Sequence, residues 1–186
     1  MGSLNYISHF YKGCAQDKKL LNQRLKKDPS PWTEAHSQAV RNIKAKTKNL
    51  PILHISDDDL PKIVEIDASN IGWGAVLKQI RHQGDKKKEE IIQFASGLWK
   101  IAEKNYSSLD KEIKAALNVI HKFEIYLIYK KFLLRTDVAA MNKVLNKDIR
   151  SPGDAKFARW QALFNNFDFS VEHIKGTNNY IPDFLS

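Results

Sequence analysis

Residues 62–77 read KIVEIDASNIGWGAVL, and the reading of the whole chain turns on them. The β-branched run Ile63-Val64-Glu65-Ile66 delivers Asp67 into the small-residue turn Ala68-Ser69-Asn70, and a second apolar run, Trp73 to Leu77, leaves in the opposite sense after Gly72. This pattern predicts strand, turn, strand, with a carboxylate at the end of the first strand. A strand-end Asp also serves as a plain turn-former that accepts backbone N–H bonds, so Asp67 gains weight only from its company. Three further acids, Glu112, Asp137 and Asp183, stand where a strand or helix can aim them back at the same point.

Working downstream, Gln83-Gly84-Asp85-Lys86-Lys87-Lys88 reads as a polar turn and Glu90–Ser96 as a third strand, giving a three-stranded antiparallel meander. Ser107-Ser108-Leu109-Asp110 has the spacing of a helix start. The helix is predicted to run to about Ile120, with Ile113, Ala116, Leu117 and Ile120 as its core stripe and Glu112 on the flank. A glutamate there is close to the sheet, yet the same position suits a plain surface residue. Lys131–Asp137 (KFLLRTD) is a nearly continuous apolar run ending in another acid, as expected for a strand buried on both faces. Strand, helix, strand makes a right-handed crossover, so this strand should lie parallel to the first. Asp67 and Asp137 then share one edge of the sheet, the edge where open α/β sheets place their sites. Val138–Leu145 reads as a short helix. A further helix is predicted from Asp154 to about Asn166, with Phe157, Trp160, Leu163 and Phe164 as core, and a last strand over Phe167–Ile174. Pro182 suits a helix start that would carry Asp183.

Upstream, Leu20, Leu21 and Leu25 stand among lysines after a helically spaced set from Leu4 to Tyr11. Thr33 is a plausible N-cap for a helix to about Lys46, with Ala35, Ala39, Val40 and Ile43 on one face. Ser56–Pro61, with its acidic triplet Asp57-Asp58-Asp59, reads as a turn in a linker rather than a metal site. Met1-Gly2-Ser3 is set aside as a cloning scar. The organisation expected is a small helical segment over residues 4–55 followed by an α/β domain over residues 60–186. That domain holds a five-stranded mixed sheet, three antiparallel strands then two parallel, with helices on both faces.

The chain is 42% hydrophobic and 27% charged, the balance of a soluble globular protein. No run approaches the ~20 apolar residues of a membrane span, and the N-terminus lacks the apolar core of a signal peptide. The single Cys14 leaves no internal disulfide and no cysteine zinc site, and fits a reducing compartment. The net charge is +9, and residues 1–50 hold ten Lys/Arg against three acids. A basic lobe beside a nearly neutral one with clustered acids suggests a polyanionic partner held in one place and worked on in another, although a solvated basic surface has the same composition.

Four acids aimed at one point repel each other unless something positive sits between them. Hard divalent cations with oxygen ligands are the usual solution. Two of them roughly 3.5–4 Å apart suit phosphodiester displacement. No GxxxxGK[ST] loop, His/Cys zinc spacing or Ser/Cys nucleophile setting competes.

The blocks IDASNIGWGAVL, FASGLWKIAEKNYSSLDKEIKAAL, FLLRTDVAA and FSVEHIKGTNNYIPDFLS, in that order, resemble the RNase H domain of gypsy-class LTR retrotransposons and plant pararetroviruses over residues 62–186. Residues 4–53 resemble the thumb-side end of the reverse transcriptase that precedes RNase H in those polyproteins. The resemblance implies an RNase H-like fold and cleavage of the RNA strand of RNA–DNA hybrids with two Mg²⁺, for which Mn²⁺ substitutes. It implies an Asp-Glu-Asp-Asp ligand set at Asp67, Glu112, Asp137 and Asp183, with Asp67 shared between the ions. It also implies substrate contacts near Ser69, Asn70 and Ser108, and an accessory role for His173. A polymerase domain in cis, and a location in the host-cell cytoplasm or the viral particle rather than a secreted one, follow from the same resemblance. The alternative is an inactive RNase H-like connection module that binds the hybrid without cutting it.

Overall fold

The computed structural model describes residues 18–48, 50, 52–137 and 155–174. The helically spaced set from Leu4 to Tyr11, the predicted helix over residues 138–145, and Asp183 with its helix start lie outside the described residues. Helix α1 (Lys19–Gln23) and helix α2 (Glu34–Thr47) meet through Leu21 and Ile43, with Ala39, Val40 and Leu50 around them. Leu25, expected to continue the α1 stripe, is exposed. The α2 stripe also differs from the expected one: Ala35 is exposed and His36 is buried in its place. The cause is at the cap, where the Thr33 N–H donates to His36 Nδ1 at 3.0 Å and draws the ring inward.

Strand β1 (Lys62–Ala68) pairs antiparallel with β2 (Gly72–Gln83), and β2 with β3 (Lys86–Leu98). The β2–β3 turn is far tighter than expected. Gly84 has φ 61, the left-handed conformation a two-residue hairpin requires, and both strands continue right up to it. Lys86–Lys88 therefore belong to β3 rather than to a loop. A bulge opposite Leu77/Lys78 shifts the parity of β3, so Ile92 and Ala95 reach one face while Ile91 and Phe94 reach the other. At the other end of the hairpin, Gly97 is needed because Trp73 lies over it. A Cβ at residue 97 would fall 2.5 Å from the indole.

A 3₁₀ turn (Ala102–Asn105) leads into helix α3 (Ser108–Lys122), capped by the Ser107 side chain, which accepts from the Asp110 N–H at 3.1 Å. Ile113, Ala116 and Ile120 are buried as expected, joined by Ala115 and Val119, whereas Leu117 is only half-buried. They pack on Val64 and Ile66 of β1 and on Leu134. Fully burying the Ile and Val side chains among them contributes roughly 1.5–3 kcal/mol each. The short helix α4 (Glu124–Leu127) returns the chain to β4 (Phe132–Thr136), which lies parallel to β1 with Glu65 opposite Arg135. Burial alternates along β4: Phe132, Leu134 and Thr136 are buried, while Leu133 and Arg135 are half-buried, so the strand is not sealed on both faces. Helix α5 (Ala155–Phe164) adds Trp160 and Phe164 to the core but leaves Leu163 half-exposed. Its first turn is fastened to α3 by Lys156, which pairs with Asp110 at 2.8 Å beneath the rings of Tyr106, Phe157 and Trp160. Strand β5 (Phe169–His173) lies parallel to β4, and the sheet order is β3-β2-β1-β4-β5. This is the mixed five-stranded sheet the sequence predicts.

On the face away from α3, Leu53 packs against Val76 and Phe94, and the acidic triplet forms the turn expected of it, with the Asp59 N–H on Asp57 Oδ1. The same face carries a chain of ion pairs with one member on every strand. Lys78 (β2) binds Glu65 (β1) at 2.7 Å and Glu89 (β3) at 3.2 Å. Arg135 (β4) binds Glu65 at 2.9 Å, Glu89 at 2.8 Å and Glu172 (β5) at 2.6 Å.

Candidate metal centre

The crossover brings three of the four predicted acids together. Asp67 and Asp137 arrive at the C-terminal ends of the neighbouring parallel strands β1 and β4. Glu112 comes from the first turns of α3, which lies across the same strands. One carboxylate oxygen from each lies within 4.8 Å of the others. Asp67 is 8% exposed and Glu112 only 3%. Each Glu112 oxygen is held by the neighbour of one of the strand-end acids. Oε1 accepts from the Ala68 N–H at 3.0 Å, and Oε2 from the Thr136 hydroxyl at 3.5 Å. The glutamate is thus no surface residue.

Burial, then the charges of Asp137 and Asp67, push the Glu112 carboxyl up to about 8, against the two donors that favour its ionised form. Asp137 is raised as well, by burial and by Asp67, with a backbone hydrogen bond and His173 pulling the other way. Asp137 Oδ1 is buried with no hydrogen-bond partner among the described residues. A buried carboxylate oxygen without a donor, facing two further carboxylates, fits a hard divalent cation, which accepts several oxygen ligands of this kind.

Of the other predicted residues, Ser69 closes the β1–β2 turn, its Oγ accepting from the N–H groups of Ile71 and Gly72. Asn70 is exposed in the same turn, and Ser108 is exposed at the first residue of α3, one turn before Glu112. His173 is the last residue of β5, and its Nε2 lies 2.8 Å from the Asp137 backbone carbonyl, so it steadies the segment bearing Asp137.

Two residues beside the acids went unread in the sequence. Trp99, almost fully buried, donates its indole N–H to the Ser69 carbonyl at 2.8 Å. Lys111, immediately before Glu112, is 8% exposed and reaches Asn70 Oδ1 at 2.9 Å. The only signal for Lys111 was its helical position, one residue before an acid already on the sheet-facing flank.

Comparison with known proteins agrees with this architecture. The family profile of the RNase H-like domain found in reverse transcriptase matches residues 32–134. The chain is 40% identical over 190 residues to the enzymatic polyprotein of cauliflower mosaic virus (strain D/H), with all of this chain and 28% of that protein aligned. It is 38% identical over 189 residues to the enzymatic polyprotein of carnation etched ring virus, again with 28% of that protein aligned. With the genome polyprotein of petunia vein clearing virus it shares 36% identity over 186 residues, 8% of that protein's length. The chain therefore spans under a third of the length of these curated relatives. Among solved structures, 94% of the chain superposes on 31% of a foamy viral protease–reverse transcriptase in complex with double-stranded DNA, at a TM-score of 0.77 and 15% identity. A complex of foamy viral protease–reverse transcriptase with an RNA/DNA hybrid gives 0.74 at 15% identity, covering 94% of this chain and 24% of that one. At that identity the likeness is one of fold.

Proposed function

This chain belongs to the RNase H-like domains found in reverse transcriptase, and from that premise we propose that it is a ribonuclease H that hydrolyses the RNA strand of RNA–DNA hybrids. The observation that carries the reading is the meeting of Asp67, Glu112 and Asp137 at one buried edge of the sheet. The ligand set proposed for two Mg²⁺, or for Mn²⁺ in their place, is these three acids with Asp183 as the fourth. Divalent cations held there would supply positive charge to the scissile phosphate and acidify the attacking water.

The protein's own part is to preset the carboxylates. Ala68 and Thr136 orient the two oxygens of Glu112, and His173, proposed as an accessory group, steadies the segment that bears Asp137. Because the Glu112 carboxyl is pushed up to about 8 when no metal is bound, it becomes a ligand only by losing a proton to the incoming cation, so at limiting Mg²⁺ activity rises with pH towards that value. Selection of RNA over DNA is assigned to the 2′-hydroxyl, with Ser69, Asn70 and Ser108 on the side where the strand would pass. We further propose that residues 4–55 are the end of the polymerase thumb and residues 60–186 the nuclease. The domain would work with a polymerase in cis, in the host-cell cytoplasm or the viral particle.

The test incubates labelled RNA–DNA hybrid, and separately plain RNA, with Mg²⁺ or Mn²⁺. Wild type should cut only the hybrid and Asp67→Asn should lose roughly three orders of magnitude in rate or more. Binding without metal-dependent cleavage would instead make the chain a hybrid-binding module.

A further inference from the structure

The turn that follows Asp67 is pinned at three successive residues by side chains from elsewhere. The Ala68 N–H is held by Glu112 Oε1 at 3.0 Å, the Ser69 carbonyl by Trp99 Nε1 at 2.8 Å, and Asn70 Oδ1 by Lys111 Nζ at 2.9 Å. The first two hold backbone and, with Ser69 Oγ on the N–H groups of Ile71 and Gly72, suffice to fix the turn. The third is different. It commits a buried ammonium, 8% exposed, to the side chain of an exposed asparagine.

An exposed asparagine presents oxygen or nitrogen equally well by rotating its amide. Lysine, however, has only donors, so Lys111 must face the oxygen, and the Asn70 Nδ2 donors are left turned away from the helix. The result is a neutral donor of fixed orientation three residues from Asp67. We propose that Lys111 is a positioning residue that holds the Asn70 amide as a donor to a 2′-oxygen of the RNA strand, an inference that rests on the nuclease reading above. A 2′-oxygen fits better than a phosphate oxygen. Phosphates are common to RNA and DNA and are met by cations, whereas a single oriented neutral donor reads a group that only one of the two strands carries.

The test measures affinity for an RNA–DNA hybrid and for a DNA duplex of the same sequence with Ca²⁺ in place of Mg²⁺, then KM and kcat for the hybrid with Mg²⁺. Lys111→Met should weaken hybrid binding about five- to tenfold, the scale of one net hydrogen bond, and leave the DNA duplex unchanged. KM should rise and kcat should hold. Asn70→Ala, with its folding checked by thermal unfolding because it takes the partner from a buried ammonium, should give the same loss, and the double variant, which leaves no ammonium behind, no more. Lys111→Arg, which also has only donors, should retain the preference. Unchanged hybrid preference in Asn70→Ala, equal losses on both duplexes, or additive losses in the double variant would overturn the inference alone. A wild-type chain that binds both duplexes alike and cuts neither would overturn the nuclease reading with it.

Discussion

Glu65 and Asp67 are two residues apart on β1, and Arg135 and Asp137 two residues apart on the adjacent β4. Yet the two rungs do opposite things with charge. At the first, Glu65 faces Arg135 at 2.9 Å and Lys78 at 2.7 Å, and the pairs extend to Glu89 and Glu172 at the sheet's two edges. Although burial works the other way in both groups, the hydrogen bonds that the Arg135 guanidinium donates to the carboxylates hold it above its usual range, and Arg135 and Lys78 hold Glu89 below the usual carboxylate range. At the second rung Asp67 and Asp137 meet a third acid, and Glu112 is pushed up to about 8. One rung is electrostatically complete within the protein and serves the fold. The other accumulates like charge in a buried place, which costs stability and is tolerated where a site uses it.

The widest separation between the rungs should come from removing Arg135. Arg135→Met removes the cation that Glu65, Glu89 and Glu172 share, leaving Lys78 to serve Glu65 and Glu89. It should cost about 3 kcal/mol in urea unfolding at pH 7, at the lower end for a broken buried pair because Lys78 still serves Glu65. A loss below about 1 kcal/mol would reduce the network to surface decoration.

Glu112→Gln should move stability in the opposite direction. In the folded chain Glu112 titrates near 8 against an ordinary value of 4.5. Between those values the folded state binds the extra proton, so in the absence of metal stability falls as pH rises from about 4.5 to about 8. Glu112→Gln removes that slope. By pH 8 it should be more stable than wild type by a few kcal/mol at most, as thermal unfolding across the pH range would register. A parallel pH dependence in the two proteins would mean that Glu112 does not carry the strain. The smallest effect belongs to neither rung: Ser107→Ala, which removes the α3 cap, should cost about 1 kcal/mol by denaturant titration and leave the pH dependence unchanged.

The acid rung was largely legible in the sequence because each member sits at a punctuated place. Asp67 and Asp137 end apolar runs, and Glu112 follows a capped helix start at a fixed spacing. The topology rule for parallel crossovers then brought them together. The paired rung was not legible. Arg135 looked like an interruption in an apolar run, and nothing local says that it meets residues on three other strands, since register between distant strands is set by tertiary packing. The hairpin tip was misread for a related reason. Lys86–Lys88 are all exposed, so they carry no apolar alternation, yet pairing with β2 makes them a strand. His36 in place of Ala35 followed from a side-chain cap that helical periodicity does not register.

The central claim is that the three acids form a cation site held partly protonated until the cation arrives. Calorimetric titration of the chain with Mg²⁺ at pH 7, repeated in buffers of different ionisation enthalpy, counts the protons released on binding. With Glu112 titrating near 8, about one proton should leave per bound complex, and Glu112→Gln should release none. Binding with no proton release, or no Mg²⁺ binding at any pH up to 9, would contradict the account.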